Sequence, residues 1–69
     1  MKRLIANIVG DQELTFVIER DEKAGYYLIV YPTGSKKSLA DYLFDSLDEA
    51  LNAAKKNYGI LPALWKEQE

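Results

Sequence analysis

The chain contains one uninterrupted run of strand-forming residues, Tyr26-Tyr27-Leu28-Ile29-Val30-Tyr31. Tyrosine and β-branched residues favour extended backbone, and the run has no position suited to a fully solvated face. The run therefore predicts a strand of a sheet at about 26–31, with both faces of the strand covered by other groups.

The segment just before this run predicts its hairpin partner at about 14–20. Apolar residues recur at every second position there, which is the period of a strand with one buried face. The residues expected on that face are Leu14, Phe16 and Ile18. The charged stretch 21–25 ends in a glycine, as hairpin loops often do. Two neighbouring antiparallel strands are the simplest arrangement of these segments.

A first strand is predicted at about 3–9, where the short segment Leu4–Val9 is rich in β-forming residues. A fourth is predicted at about 39–44, although these residues also fit the start of a long helix. In that alternative, four leucines spaced by four residues lie on one helical stripe. They are Leu39, Leu43, Leu47 and Leu51.

The capping pattern Ser46-Leu47-Asp48-Glu49 favours the strand at 39–44. In such a box the serine hydroxyl accepts a hydrogen bond from the Glu49 amide, and the Glu49 carboxylate accepts one from the Ser46 amide. The box marks the beginning of a helix, so a helix is predicted from Leu47 to about Tyr58. Its expected buried stripe is Leu47, Ala50, Leu51, Ala54 and Tyr58.

The helix is expected to end at Gly59, a residue suited to the left-handed cap, with Ile60 supplying an apolar contact. A short terminal turn after Pro62 would bring Trp65 onto the core, and the last four residues are expected to fray. The fold class is thus α+β: an antiparallel meander of three or four strands with one C-terminal helix packed on one face.

The pattern Asp45-Ser46-Leu47-Asp48-Glu49-Ala50-Leu51, followed by Tyr58-Gly59-Ile60 and Trp65, resembles the C-terminal half of small bacterial sheet-plus-helix proteins, most of them uncharacterised. The helix start is also similar to that of HicB-type antitoxin domains. The resemblance covers about residues 45–65. It implies a bacterial protein with a sheet and a C-terminal helix, and it carries over no site residue.

The length of 69 residues predicts a single domain over 1–69. The net charge is −2, and the sequence contains no cysteine and no histidine. Disulfides, thiolate metal sites, thiol nucleophiles and histidine bases are therefore excluded. No apolar run approaches the roughly 20 residues that cross a bilayer. We expect a soluble, cytoplasmic protein that is not an enzyme, needs no cofactor and has no membrane partner.

Two short patterns could suggest chemistry, but each has a simpler interpretation. Four carboxylates lie within nine residues, and their spacing lacks the alternating ligands and central glycine of a calcium loop. They are Asp41, Asp45, Asp48 and Glu49. The stretch 33–38 contains Gly-Ser-Lys, but not the order of a phosphate-binding loop. We expect the acidic residues to solvate a strand end and to cap the helix, and we expect the stretch 33–38 to be a turn with solvated lysines. We assign no catalytic or metal-binding residue.

A single-stranded nucleic-acid-binding sheet is the alternative function. Bases would stack on tyrosines while lysine pairs neutralise phosphates. The residues concerned are Tyr26, Tyr27, Tyr31, Lys36, Lys37, Lys55 and Lys56. The acidic net charge argues against this alternative, because phosphate neutralisation supplies most of the affinity of such proteins.

The most informative prediction concerns the sheet face that one helix cannot cover. If the Phe16 side of the second strand meets the helix, the opposite face carries one of two sets of the third strand. These sets are Tyr26, Leu28 and Val30, or Tyr27, Ile29 and Tyr31. With the second set outward, this face has an apolar, tyrosine-rich patch. The predicted partner-binding residues are Val17, Tyr27, Ile29 and Tyr31, with Ile5 or Val9 beside them. Patches of this kind mark interaction sites. The sequence therefore predicts a non-catalytic interaction module that binds a protein partner or forms a homodimer. A toxin-neutralising or inhibitor role is one version of this function, suggested by the small size and mild acidity of the chain.

Overall fold

The computed structural model describes residues 3–8 and 13–68, with the side chain of Ile8 left out. It shows one antiparallel sheet and one packed helix, as predicted. The strands are β1 (Arg3–Ile8), β2 (Leu14–Asp21), β3 (Gly25–Pro32), β4 (Ala40–Phe44) and β5 (Lys66–Gln68). The helix is α1 (Leu47–Tyr58), and a 3-10 turn follows at Pro62–Leu64. The predicted strand end at Val9 lies outside the described residues.

The sheet has the order β4-β3-β2-β1-β5, and every neighbouring pair is antiparallel. Residues 40–44 form a strand, so the alternative of one long helix is wrong. The expected fraying of the tail is also wrong for Lys66–Gln68, which pair with β1. The helix carries the chain from the β4 edge across one face, so the tail reaches the other edge and makes a fifth strand.

The hairpin between β2 and β3 is closed by a side chain as well as by Gly25. The Asp21 carboxylate accepts hydrogen bonds from the amides of Lys23 and Ala24, at 2.8 and 3.0 Å. These two bonds favour the ionised form and hold the pKa of Asp21 below its usual range. Gly25 has a φ of +120°, and a Cβ there would overlap the Phe44 carbonyl oxygen. A glycine is thus needed where the hairpin meets the end of β4.

The ends of α1 follow from its capping residues. The Ser46 hydroxyl accepts a hydrogen bond from the Glu49 amide at 3.2 Å, as predicted. The return bond differs from the prediction, because the Glu49 carboxylate accepts from the Asp45 amide, not from that of Ser46. At the other end Gly59 adopts a φ of +73°, its amide bonds the Lys55 carbonyl, and Ile60 is fully buried.

The core lies between α1 and one face of the sheet. Its buried members are Ala6, Phe16, Ile18, Leu28, Val30, Ala50, Ala54 and Ile60. The predicted helix stripe is confirmed, since Ala50 and Ala54 are buried and the three larger residues of the stripe pack against the core. Trp65 packs there as well. Because α1 contacts β3 and β4, the apolar side chains of that face are removed from water.

Candidate functional site: the open sheet face

One face of the sheet has no layer over it among the described helices and strands. Strand pairing places three cross-strand rows on this open face, which we define by its residues. The central row runs Asp41, Ile29, Val17, Ile5 and Lys66. One flanking row runs Leu43, Tyr27, Glu19, Arg3 and Gln68, and the other runs Tyr31, Thr15 and Asn7.

The structure brings the four predicted partner-binding residues together on this face. Val17 and Ile29 are cross-strand neighbours, and Tyr27 and Tyr31 flank Ile29 along β3. Their exposure differs, however. The three β3 side chains are half-buried, whereas Val17 is only 7% exposed although no layer lies above it. Val17 therefore forms the floor of the patch, and its taller neighbours present the surface that a partner would touch.

Polar groups mark both ends of the open face. Arg3 and Glu19 form an ion pair at 2.9 Å. At the other end the Thr15 hydroxyl donates its single proton to the Asn7 side-chain oxygen at 2.9 Å. The Thr33 hydroxyl lies 3.1 Å from that of Thr15 and therefore acts as the donor to it. An apolar centre between hydrogen-bonded margins is the anatomy of protein interfaces.

The loop after β3 shapes one part of the face into a shallow depression of about 240 Å³. Thr15, Val17, Tyr31 and Pro32 of the strands line it together with Gly34 and Ser35 from the loop, and the Arg3–Glu19 pair completes the wall. The depression is too small for most ligands of drug size.

Sequence reasoning missed one exposed member of this surface. Leu43 lies next to Tyr27 on the open face and is 51% exposed. Its place follows from the pairing of β4 with β3, which sequence alternation does not supply. Ile5 also lies on the open face, opposite Val17, whereas Val9 lies outside the described residues.

The groups needed for nucleic-acid binding are divided between the two sides of the sheet. Tyr27 and Tyr31 lie on the open face, whereas Tyr26 packs against the core on the helix side. Lys55 and Lys56 stand in the last turn of α1, also on the helix side. A nucleic-acid strand stacked on Tyr27 and Tyr31 would not reach that lysine pair. Of the predicted lysines, this leaves Lys36 and Lys37, which are exposed in the loop between β3 and β4.

Two of the four carboxylates between residues 41 and 49 have a structural role at the beginning of α1. Asp48 and Glu49 occupy the first turn of α1, where the helix dipole favours negative charge. Asp41 lies on the open face, and Asp45 precedes the helix. Within residues 3–8 and 13–68, no three acidic side chains are placed to hold a metal ion.

A second concave surface lies on the helix side, where α1 leaves the ends of β1 and β2 uncovered. This groove encloses about 580 Å³. Its apolar lining is Leu4, Ile18, Tyr26 and Leu47, and its charged lining is Arg20, Glu22 and Glu67. The size suits a small ligand.

Comparisons with known proteins do not assign a function. No family model matches the chain, and no curated protein or solved structure matches it. The resemblance of residues 45–65 to small bacterial sheet-plus-helix proteins and to the HicB-type helix start therefore stays a prediction. In the described part of the chain, none of the helical segments has the length and apolarity required to cross a bilayer.

Proposed function

We propose that this chain is a non-catalytic interaction module that binds another protein through the open sheet face. The observation that carries the proposal is the central row of that face. Ile29, Val17 and Ile5 make three adjacent strands apolar on a side that α1 does not reach. Covering these side chains with a partner would remove apolar surface from water, which is the main driving force of protein association.

The two ends of the central row suggest the chemistry of the partner. Asp41 lies at the end next to Ile29, and Lys66 lies at the end next to Ile5. A complementary surface would have an apolar centre with a basic group on one side and an acidic group on the other. Tyr27 and Tyr31 add large, fairly rigid side chains, which are enriched at binding hot spots.

A toxin-neutralising or inhibitor role is one form of this function. It is supported by the small size and the net charge of −2, since a compact acidic protein can cover a functional surface of a larger basic one. The proposal keeps the cytoplasmic, bacterial setting that the sequence suggested.

The proposal is tested with a double variant of the open face, Ile29→Asp with Tyr31→Asp. Leu61→Asp with Leu64→Asp is the matched control, because both leucines are 45% or more exposed and lie outside the open face. Immobilised wild-type and variant chains are compared for the proteins they retain, and retained proteins are purified and titrated by calorimetry. Far-ultraviolet circular dichroism checks folding, and Tyr31→Asp alone replaces the double variant if that variant unfolds.

We expect a partner that binds the wild type and the control equally, and binds the open-face variant at least ~30-fold more weakly. Equal binding of one partner to all three chains would overturn the proposed site. A wild-type chain that retains no protein beyond a blank matrix would overturn the function.

A further inference from the structure

The two edges of the sheet differ in a way that points to a second interaction surface. β5 is three residues long, and its residues Lys66, Glu67 and Gln68 are exposed and polar. Short, charged edge strands resist pairing with other chains. β4 is longer and carries a single charged residue, Asp41. Its neighbourhood holds three of the large apolar side chains with the highest exposure: Leu39 at 59%, Leu43 at 51% and Tyr42 at 40%.

The outer side of β4 is available for pairing. β3 is its partner on the inner side, and no other described strand pairs with it. An uncovered edge of this length and composition is a template for another strand. The question is which strand fits it.

The order of charges along this edge favours a second copy of the same strand. Lys36 and Lys37 precede β4, and Asp45 and Asp48 follow it. In an antiparallel pair the beginning of one strand lies beside the end of the other. Two copies of β4 would therefore place the lysines of each copy near the carboxylates of the other, on both sides of the two-fold axis.

One register satisfies the side chains best. With Asp41 of the two copies opposite each other, Leu39 of each copy faces Leu43 of the other, and Lys37 faces Asp45. This register makes two apolar pairs and two ion pairs at the cost of one pair of like charges. The next registers that keep the same sheet faces paired are shifted by two residues. They place Leu39 opposite Asp45 or opposite Asp41, so both apolar pairs are lost.

The helices are compatible with this pairing. A two-fold axis perpendicular to the sheet leaves both helices on the same side and runs them antiparallel. Because α1 contacts β3 and β4 and strands are about 4.8 Å apart, the two helix axes would lie roughly 10 Å apart, which is a normal packing distance. The acidic first turn of each helix, Asp48 and Glu49, would then approach the basic last turn of the other, Lys55 and Lys56.

We propose that β4 pairs with β4 of a second copy to give a two-fold symmetric dimer with a continuous ten-stranded sheet. The contact is isologous, so it closes at two copies, and the polar β5 strands become the outer edges. The two open faces join into one surface through Leu43. The dimer does not depend on the proposed partner function, because that function rests on Ile29, Val17 and Ile5 whereas the dimer uses β4, and Asp41 alone takes part in both.

Sedimentation velocity from about 1 to 300 μM tests the dimer. We expect the wild type to shift from monomer to dimer with concentration, and Leu43→Lys to stay monomeric because it adds an edge charge. Leu61→Lys is the matched control, since this leucine is 55% exposed and lies outside β4. It should dimerise as the wild type does. A wild type that is monomeric throughout would overturn the proposal.

Three further variants test the register. Asp41→Asn removes the like-charge pair and should tighten the dimer several-fold. Lys37→Asp should weaken it, and Lys37→Asp combined with Asp45→Lys should restore it, because the ion pair is then reversed. A weaker dimer for Asp41→Asn would overturn the register.

Ile29→Asp with Tyr31→Asp should still dimerise through β4. Loss of the dimer in that variant would indicate stacking of the open faces and overturn the edge contact.

Discussion

The hydroxyl groups of Tyr42 and Tyr58 lie 2.9 Å apart and form a hydrogen bond between β4 and the last turn of α1. Tyr58 also packs its ring against Phe16, with ring centroids 4.9 Å apart. Tyr58 of α1 thus contacts both the edge strand β4 and the buried Phe16 of the central strand β2. This contact holds β4 in place, and β4 in turn supplies Leu43 to the open face.

Tyr58→Phe should lower the free energy of unfolding by about 1 kcal/mol. The variant keeps the ring against Phe16 and loses only the hydrogen bond to Tyr42. Urea denaturation followed by circular dichroism measures the change. Tyr31→Phe is the control, because its hydroxyl has no hydrogen bond to another described residue, and it should change stability by less than about 0.5 kcal/mol. Equal effects of the two variants would contradict a role for the Tyr42–Tyr58 bond.

The same hydrogen bond, together with burial, raises the pKa of Tyr58 above the ordinary value for tyrosine. An acid with a raised pKa in the folded state contributes stability that is complete below the unfolded-state pKa of about 10 and is lost as the pH rises through the folded-state value. We therefore expect stability to fall above about pH 10. Ultraviolet titration of wild type and Tyr42→Phe tests this, since the variant should return the pKa of Tyr58 towards the ordinary value. An unchanged titration curve, after allowance for the missing Tyr42, would argue against it.

Gly25→Ala should destabilise the fold more than Gly34→Ala does. Both glycines have positive φ, which costs an alanine about 1–2 kcal/mol. Only at Gly25 would the added Cβ also overlap a backbone atom, the Phe44 carbonyl oxygen, whereas the space around Gly34 is open. We expect a difference between the two variants of at least ~1 kcal/mol in urea denaturation. Equal losses would show that the end of β4 moves freely away from the hairpin.

Ser46→Ala should remove the helix cap and cost about 1 kcal/mol. The hydroxyl accepts the Glu49 amide at 3.2 Å, and alanine would leave that amide without its partner. Ser38→Ala is a suitable comparison, because Ser38 is exposed and its side chain makes no hydrogen bond to a described residue. Amide exchange of the first turn of α1 should accelerate in Ser46→Ala alone. A similar acceleration in both variants would indicate a general loss of stability.

Much of the fold could be predicted because its signals are local. The alternation of Leu14, Phe16 and Ile18 identified the buried face of β2, and the run at 26–31 identified β3. The serine–glutamate spacing located the start of α1 within one residue, since capping depends on groups three residues apart. Of the candidate site, alternation grouped Tyr27, Ile29 and Tyr31 on one face of β3, and the pairing of Val17 with Ile29 decided that this face is the open one.

The remaining features depend on residues far apart in the chain. Lys66–Gln68 are short and polar, with no strand signal of their own, and they become β5 because the helix delivers them to the open edge of β1. Val17 is buried without a covering layer because side chains from three strands surround it, which no pattern within β2 reveals.

The sequence by itself determined where the first four strands, the hairpin and the helix lie, because alternation, turn residues and caps act over a few neighbouring positions. Only the tertiary structure decided which strands are the edges, which apolar side chains remain exposed, and that Tyr42 meets Tyr58. These features depend on strand order and on the path of α1 across the sheet, and those follow from the packing of the whole core around Phe16 and Ile60.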